Sequence, residues 1–311
     1  MITPPLLSYD RLARYPHVFH HLTGLSVPQF AQLTTDFLPC YTEAERARLS
    51  RPSRVRAIGA GRTFRLAPRD QLLLCVCWLR RYPTDETLGF LFGLERTSVG
   101  DTRARIVPVL AALGLDTMRL PDPGRKRRLD LPALLADTPA LAVLVDTFEQ
   151  RVQRPKGRRE ADRYYSGKKK AHTLKVQVAV DERDGQIIEV SASVRGPVAD
   201  LTLLRQSGML QRVPRGMGVI GDLAYVGMTR QTPAVLGAWP RRKPRSQPRP
   251  EADVGYNRAF AQRRVGVEHV IGRVRHFAAV REVDRHHRRG HDERTQAIAG
   301  LVNRTNWRLR R

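Results

Sequence analysis

Residues 142–194 commit the chain to a sheet before any other stretch does. Ala142-Val143-Leu144-Val145-Asp146 is a short apolar run ending in a carboxylate. Thr173–Val180 alternates apolar and polar residues, the period-2 pattern of a half-buried strand. Arg183-Asp184-Gly185-Gln186 is a turn signal between that run and a second alternating one, so 172–181 and 186–194 read as a hairpin. Between Asp146 and the hairpin lie basic residues (Arg151, Arg154, Lys156, Arg158, Arg159) and the lysine-rich turn Gly167-Lys168-Lys169-Lys170. Further on, Gly218-Val219-Ile220-Gly221 is a second short apolar run, and it too ends in a carboxylate, Asp222. Acids fixed at strand ends among cations are what metal-assisted phosphodiester chemistry requires.

The chain ahead of this region is helical in pattern. A helix is expected within Leu25–Phe37, after Ser26 or Pro28. Residues 66–113 read as three helices. Pro68 opens the first, and Leu72, Leu73, Cys75, Val76 and Leu79 give it an apolar face. Thr84 caps the second, with Asp85 and Glu86 in its first turn, and Gly93 ends it. Thr97 or Ser98 caps the third, which carries Arg103 and Arg105. Helix, Gly-containing turn, helix is a helix-turn-helix pattern, and the two arginines make its last helix a candidate DNA reader.

Charge supports that partner. The chain has 311 residues with 55 Lys and Arg against 30 Asp and Glu, a net charge of +25, which points to a polyanion such as nucleic acid. No apolar run reaches the roughly 18–20 residues of a membrane span, and no secretory signal is visible, so a cytoplasmic, nucleoid-associated protein is expected. Cys40, Cys75 and Cys77 lack zinc spacing and read as reduced thiols. His17, His20 and His21 have no carboxylate or cysteine to complete a metal site.

A long helix is expected over Asn257–Val280, then a basic helical tail over 292–310. At 100° per residue, Val267, Val270, Ile271, Val274 and Phe277 share one face of the long helix, with Arg264, Glu268 and Arg275 together beside it. Glu268 can therefore look from the edge of the core toward strand ends. Taken singly, Asp146, Asp222 and Glu268 each read as a lone surface or salt-bridged acid. Asp200 reads as the cap of a helix over 201–210.

Several segments in one order change that balance. They are Val145-Asp146; Gln153-Arg154-Pro155; Tyr165-Ser166-Gly167-Lys168-Lys169-Lys170-Ala171-His172-Thr173-Leu174-Lys175; Asp200-Leu201-Thr202-Leu203-Leu204; Gly221-Asp222-Leu223-Ala224-Tyr225; Arg264 with Glu268-His269-Val270-Ile271-Gly272-Arg273; and Gly300-Leu301-Val302-Asn303. The stretch from about Val145 to Asn303 resembles the DDE-superfamily transposases of bacterial insertion sequences, of the insertion-sequence family five type and similar to Harbinger transposases. The resemblance departs at Asp146-Thr147-Phe148-Glu149, where the family has Asp-Gly-Thr-Glu. It departs again at Ala261, where the family has tyrosine, and at Arg275, where it has lysine; Tyr256 is the candidate replacement for that tyrosine.

The resemblance implies an α/β fold, a ribonuclease-H-like mixed sheet flanked by helices, preceded by an all-α helix-turn-helix domain. It implies that Asp146, Asp222 and Glu268 are the catalytic and metal-binding triad for two Mg2+ or Mn2+ ions. The expected organisation is a helical region over 1–120, a basic linker over 121–140 around Arg125–Arg128, and a catalytic domain over 141–311. The expected activity is cleavage at insertion-sequence ends and transfer of the 3′ hydroxyls into target DNA. The expected partners are double-stranded DNA, as terminal inverted repeats and target, and further copies of the chain in a dimer or larger assembly; no membrane partner is expected. Arg103, Arg105, Lys168, Lys169, Lys170, His172, Lys175, Arg264 and Arg275 are the candidate DNA contacts. Two other classes fit parts of the sequence: a non-catalytic DNA-binding protein, which has no use for a carboxylate triad, and a metal-dependent nuclease without strand transfer.

Overall fold

Local signals set the N-terminal helices. The computed structural model describes residues 5–50, 63–286 and 288–306, and the chain divides into two compact units. The first begins with α1 (Tyr9–Leu12), α2 (Pro16–Thr23) and α3 (Val27–Leu49). Ser26 and Gln29 close a reciprocal capping box at the start of α3, satisfying two donors that the first turn leaves free. Tyr9, Phe19 and Phe30 pack as a ring cluster with centroids 5.3–6.0 Å apart. Next come α4 (Pro68–Arg81), α5 (Asp85–Phe92) and α6 (Arg96–Leu115).

Pro68 opens α4 as expected, but the helix is buried all round from Gln71 to Leu79 rather than on one face. Thr84 caps α5 and Gly93, in the left-handed region at φ 67°, ends it. The third helix departs from expectation: it starts at Arg96, and its N-cap is Glu95, which makes no side-chain capping bond. Thr97 and Ser98 thus lie inside its first turn, exposed.

The second unit is built on one sheet. Its strands are β1 (Ala142–Arg151), β2 (Tyr165–Ser166), β3 (Ala171–Asp181), β4 (Ile187–Val190), β5 (Val194–Arg195), β6 (Gly218–Ile220) and β7 (Leu236–Ala238). Its helices are α7 (Arg158–Tyr164), α8 (Asp200–Ser207), α9 (Met209–Arg212) and α10 (Glu251–Arg275). The order is β2-β3-β1-β6-β7, with β4 and β5 also paired to β3. Strand β1 is antiparallel to β3 and parallel to β6, and β6 is parallel to β7. This is the expected α/β class, a mixed ribonuclease-H-like sheet with flanking helices and a helical region ahead of it.

One face of the sheet closes on Leu204, Met209, Met217 and Tyr225, with Val143, Val145 and Val219 pointing into the cluster. Helix α10 covers β1. Its Val267, Val270, Ile271 and Val274 are buried as the periodicity predicts, and a Cβ on Gly266 would lie 3.2 Å from Leu144. Arg263 fastens this helix by donating Nε and Nη2 to Glu182, at 2.7 Å each, with further bonds to Thr138 and the Pro139 carbonyl.

Four boundaries correct the sequence reading. Strand β1 does not stop at Asp146 but runs to Arg151, because β3 pairs with it along that whole length. The long helix runs over 251–275, earlier than expected, and a separate α11 (Ala278–Arg281) follows. The expected helix over 201–210 is two helices, split at Gly208 (φ 66°). Asp200 is not their cap: the N-cap is Ala199, and the Asp200 carboxylate is ion-paired to Lys175.

The chain then returns to the first unit through residues 276–281 and 293–305, the latter within α12 (His291–Thr305). Helices α6 and α12 cross at two glycines, so closely that a Cβ on Gly300 would sit 2.3 Å from the Gly114 Cα. Residues 307–310 of the expected tail helix lie outside the described residues.

Candidate active site: carboxylates of the sheet and α10

Register fixes the first two acids. The parallel pairing of β1 with β6 ends at Leu144↔Ile220. Carried two residues further, the same register sets Asp146 against Asp222. Asp146 therefore marks the end of the parallel pairing, not of its strand. Strands alternate faces, so Asp146 shares the α10 side of β1 with Leu144. The Asp146 carboxylate accepts the Thr147 N–H at 2.7 Å, and that of Asp222 accepts the Ala224 N–H at 2.8 Å, closing the 3-10 turn Leu223–Tyr225.

Arg264 joins the third acid to the first. Its Nη2 lies 3.5 Å from Asp146 Oδ2 and 3.6 Å from Glu268 Oε1. Those two oxygens are therefore no farther apart than 3.5 plus 3.6 Å. Glu268 is one turn after Arg264 on α10, its side chain 56% exposed, whereas that of Asp146 is 22% exposed.

The surroundings are negative. Burial pushes the Asp146 carboxyl above the usual range, and Asp222 and Asp200 add to the push; the Thr147 N–H and Arg264 oppose it. Tyr225, fully buried, feels the same group. Burial, then Asp200, Asp146 and Asp222, raise its hydroxyl, which donates to Gln177 at 3.5 Å. Asp200 is partly neutralised by Lys175, whose ammonium donates to Asp200 Oδ1 at 2.7 Å and to the Val198 carbonyl at 2.6 Å.

In donor type, three carboxylates suit a hard divalent cation. Asp146, partly buried near two other acids, has Arg264 as its counter-charge. Even so, no group of three or more His, Cys, Asp or Glu side chains among the described residues is drawn together to hold an ion. A guanidinium stands between two of the three carboxylates instead.

The expected DNA contacts divide. Lys175 is 8% exposed and spent on Asp200, while Arg264 is spent on the acids. Lys168, Lys169 and Lys170 are exposed at the β2–β3 turn. Val178 pairs with Asp146, so Lys170 is eight residues, about 26 Å along the chain, from the carboxylates. His172 meets Tyr165 edge-on, ring centroids 5.7 Å apart. Arg275 is exposed at the end of α10.

Arg103 and Arg105 turn into the helical unit. Arg103 pairs with Asp85 at 2.6 Å and lies over Trp78, while Arg105 contacts Gln71 and Glu45 and lies over Phe64. The exposed stripe of α6 is Thr97, Asp101, Ala104 and Pro108, with Ser98 beside it. Tyr256 is also internal, 4% exposed and stacked on Phe260 with Arg241 over its ring, so it does not supply an exposed tyrosine in place of Ala261.

Sequence reasoning missed Tyr225 and the Lys175–Asp200 pair as members of this cluster. Tyr225 follows Asp222 by three residues in a segment already singled out, so the signal was present; the ion pair had none, since it joins residues on separate elements.

Comparisons with known proteins bear on the family of the chain. The family described as "DDE superfamily endonuclease" matches residues 145–303, just over half of the chain. The "Helix-turn-helix of DDE superfamily endonuclease" matches residues 64–116. A similar protein is the "Probable transposase for insertion sequence element IS702" of Microchaete diplosiphon, 29% identical over 243 residues that cover 78% of this chain and 82% of that protein. No solved structure matches the chain significantly.

Proposed function

Because the chain belongs to the DDE superfamily of endonucleases, among the transposases of insertion sequences, we propose that it cuts its element's ends and joins them to new DNA. In this reading it binds the terminal inverted repeats, hydrolyses the phosphodiester at each end, and transfers the freed 3′ hydroxyl into target DNA. Asp146, Asp222 and Glu268 would hold two divalent cations, Mg2+ or Mn2+. Bound there, the cations supply an activated attacking oxygen and charge stabilisation at phosphorus.

The chain's own residues supply the rest. Asp146 is presented from a strand that β3 pairs along its length, and its carboxylate accepts the Thr147 N–H at 2.7 Å. Lys175 keeps Asp200 from adding its full charge beside it. The exposed Lys168–Lys170 turn and Arg275 contact phosphates, which position DNA without reading it. Base reading falls to the exposed α6 stripe of Thr97, Ser98, Asp101 and Ala104, small side chains that let a helix approach base edges closely. Joining two ends calls for a dimer or larger assembly on DNA. No described helix is long and apolar enough to cross a membrane.

One observation carries this reading: a single Arg264 nitrogen lies within 3.6 Å of both Asp146 and Glu268, while Asp222 is close enough to Asp146 to raise its carboxyl. The test is cleavage and joining of end-containing DNA in Mg2+. Asp146→Asn, Asp222→Asn and Glu268→Gln are each expected to lose about a hundredfold or more in cleavage while binding the same DNA as before, with an affinity that falls steeply as salt rises. A variant that cuts at the full rate removes its carboxylate from the site. Cleavage without joining would make the chain a metal-dependent nuclease.

A further inference from the structure

Two neighbouring arginines on α10 are held in opposite ways. Arg263 is saturated, with two bonds to Glu182 at 2.7 Å and others to Thr138 at 2.7 Å and the Pro139 carbonyl at 2.8 Å. Arg264 is 14% exposed in its side chain, yet its contacts to Asp146 and Glu268, at 3.5 and 3.6 Å, are longer than formed hydrogen bonds. Its buried Nε finds no hydrogen-bond partner among the described residues. Arg263 is a structural clamp. Arg264 supplies charge without the bonding that would lock it in place.

We infer that Arg264 is an internal stand-in for the divalent cation, occupying the space between Asp146 and Glu268 until an ion displaces it. The inference rests on the reading of Asp146, Asp222 and Glu268 as metal-binding carboxylates. Acids gathered in a partly buried site need a counter-charge, and Arg264 is the basic side chain that contacts both Asp146 and Glu268. A divalent ion bound to the same oxygens would face the guanidinium at a few ångströms in a low-dielectric setting, so the two exclude each other. The arginine gives up few bonds in leaving, since its contacts are long and one N–H is already unmet. Ion binding and the inward position of Arg264 are thus thermodynamically coupled, each weakening the other by the same factor.

The experiment is Mn2+ binding to the full-length, DNA-free protein, read by the electron paramagnetic resonance of free Mn2+ and by thermal melting with and without the ion. Arg264→Gln is expected to bind Mn2+ about fivefold or more tightly than wild type, to melt lower than wild type in chelator, and to recover that difference in Mn2+. Arg264→Met, which keeps the aliphatic stem packed, gives the same comparison if the glutamine variant does not fold. Arg264→Lys, which keeps the charge, is expected to stay closer to the wild-type affinity than either. Asp146→Asn serves as the control for the site itself. If Asp146→Asn loses Mn2+ binding while Arg264→Gln and Arg264→Met bind with wild-type or weaker affinity, ion and arginine coexist and the inference fails with the carboxylate reading intact. If Asp146→Asn binds Mn2+ as wild type does, the carboxylate reading fails and this inference with it.

Discussion

The Lys175 ammonium lies 2.7 Å from the Asp200 carboxylate, joining β3 to the first turn of α8, with both side chains about nine-tenths buried. Removing one partner of a buried pair leaves a charge with neither water nor counter-ion. Lys175→Met is expected to lose about 3 kcal/mol of stability in chemical denaturation. The double change Lys175→Met with Asp200→Leu is expected to recover most of that loss. Asp200→Asn alone is expected to cost stability more than DNA cleavage, and a cleavage loss equal to that of Asp146→Asn would make Asp200 part of the reacting centre.

Asp146 gives a pH prediction. Burial raises its folded pKa above the unfolded value, so its contribution to stability is fully present below the unfolded pKa and is lost as pH rises through the folded pKa. At neutral pH the ionised, partly buried carboxylate therefore costs stability. Asp146→Asn, measured in chelator, is expected to be more stable than wild type at pH 7. That advantage should shrink as pH falls toward the carboxylate range. A variant less stable at pH 7, or one whose advantage grows on acidification, contradicts the sign.

The helix-turn-helix arginines are expected to behave as structure rather than as base readers. Arg103→Ala strands Asp85 and uncovers Trp78, and is expected to cost about 2 kcal/mol. Asp101→Ala is expected to leave the melting temperature nearly unchanged and to shift base preference at one position in a binding-site selection. Altered preference from Arg103→Ala at full stability would reverse these roles.

Cysteine reactivity checks the packing of α4. Cys75 and Cys77 are buried there, and burial pushes the Cys77 thiol up to about 12. Cys40 on α3 is exposed. A thiol reagent is expected to modify one cysteine rapidly in the native protein and all three in denaturant.

The segments that positioned the site were legible because they are local. A strand-like run before Asp146, another before Asp222 and an apolar face beside Glu268 are all visible in residue spacing. Capping at Ser26 and Thr84 was legible for the same reason. The extension of β1 beyond Asp146 was not, because a partner strand sustains it rather than its own pattern. The inward turn of Arg103 was visible in principle: it lies four residues after Val99 and three before Ile106, both fully buried, so helical periodicity puts it on the core side. The Lys175–Asp200 pair and the position of Arg264 between two acids depend on which elements meet, and no local pattern carries that.

Asp146, Asp222 and Glu268 are proposed to hold the divalent ions of a DNA-cutting site. Anomalous scattering from crystals of the protein grown with DNA and Mn2+ tests it most directly. A manganese peak is expected within about 2.2 Å of Asp146 and Asp222 oxygens, with Glu268 completing the site and the Arg264 guanidinium displaced from between the acids. Manganese bound elsewhere, or carboxyl groups more than about 10 Å apart in the DNA-bound protein, too far for ions about 4 Å apart to bridge, would contradict it.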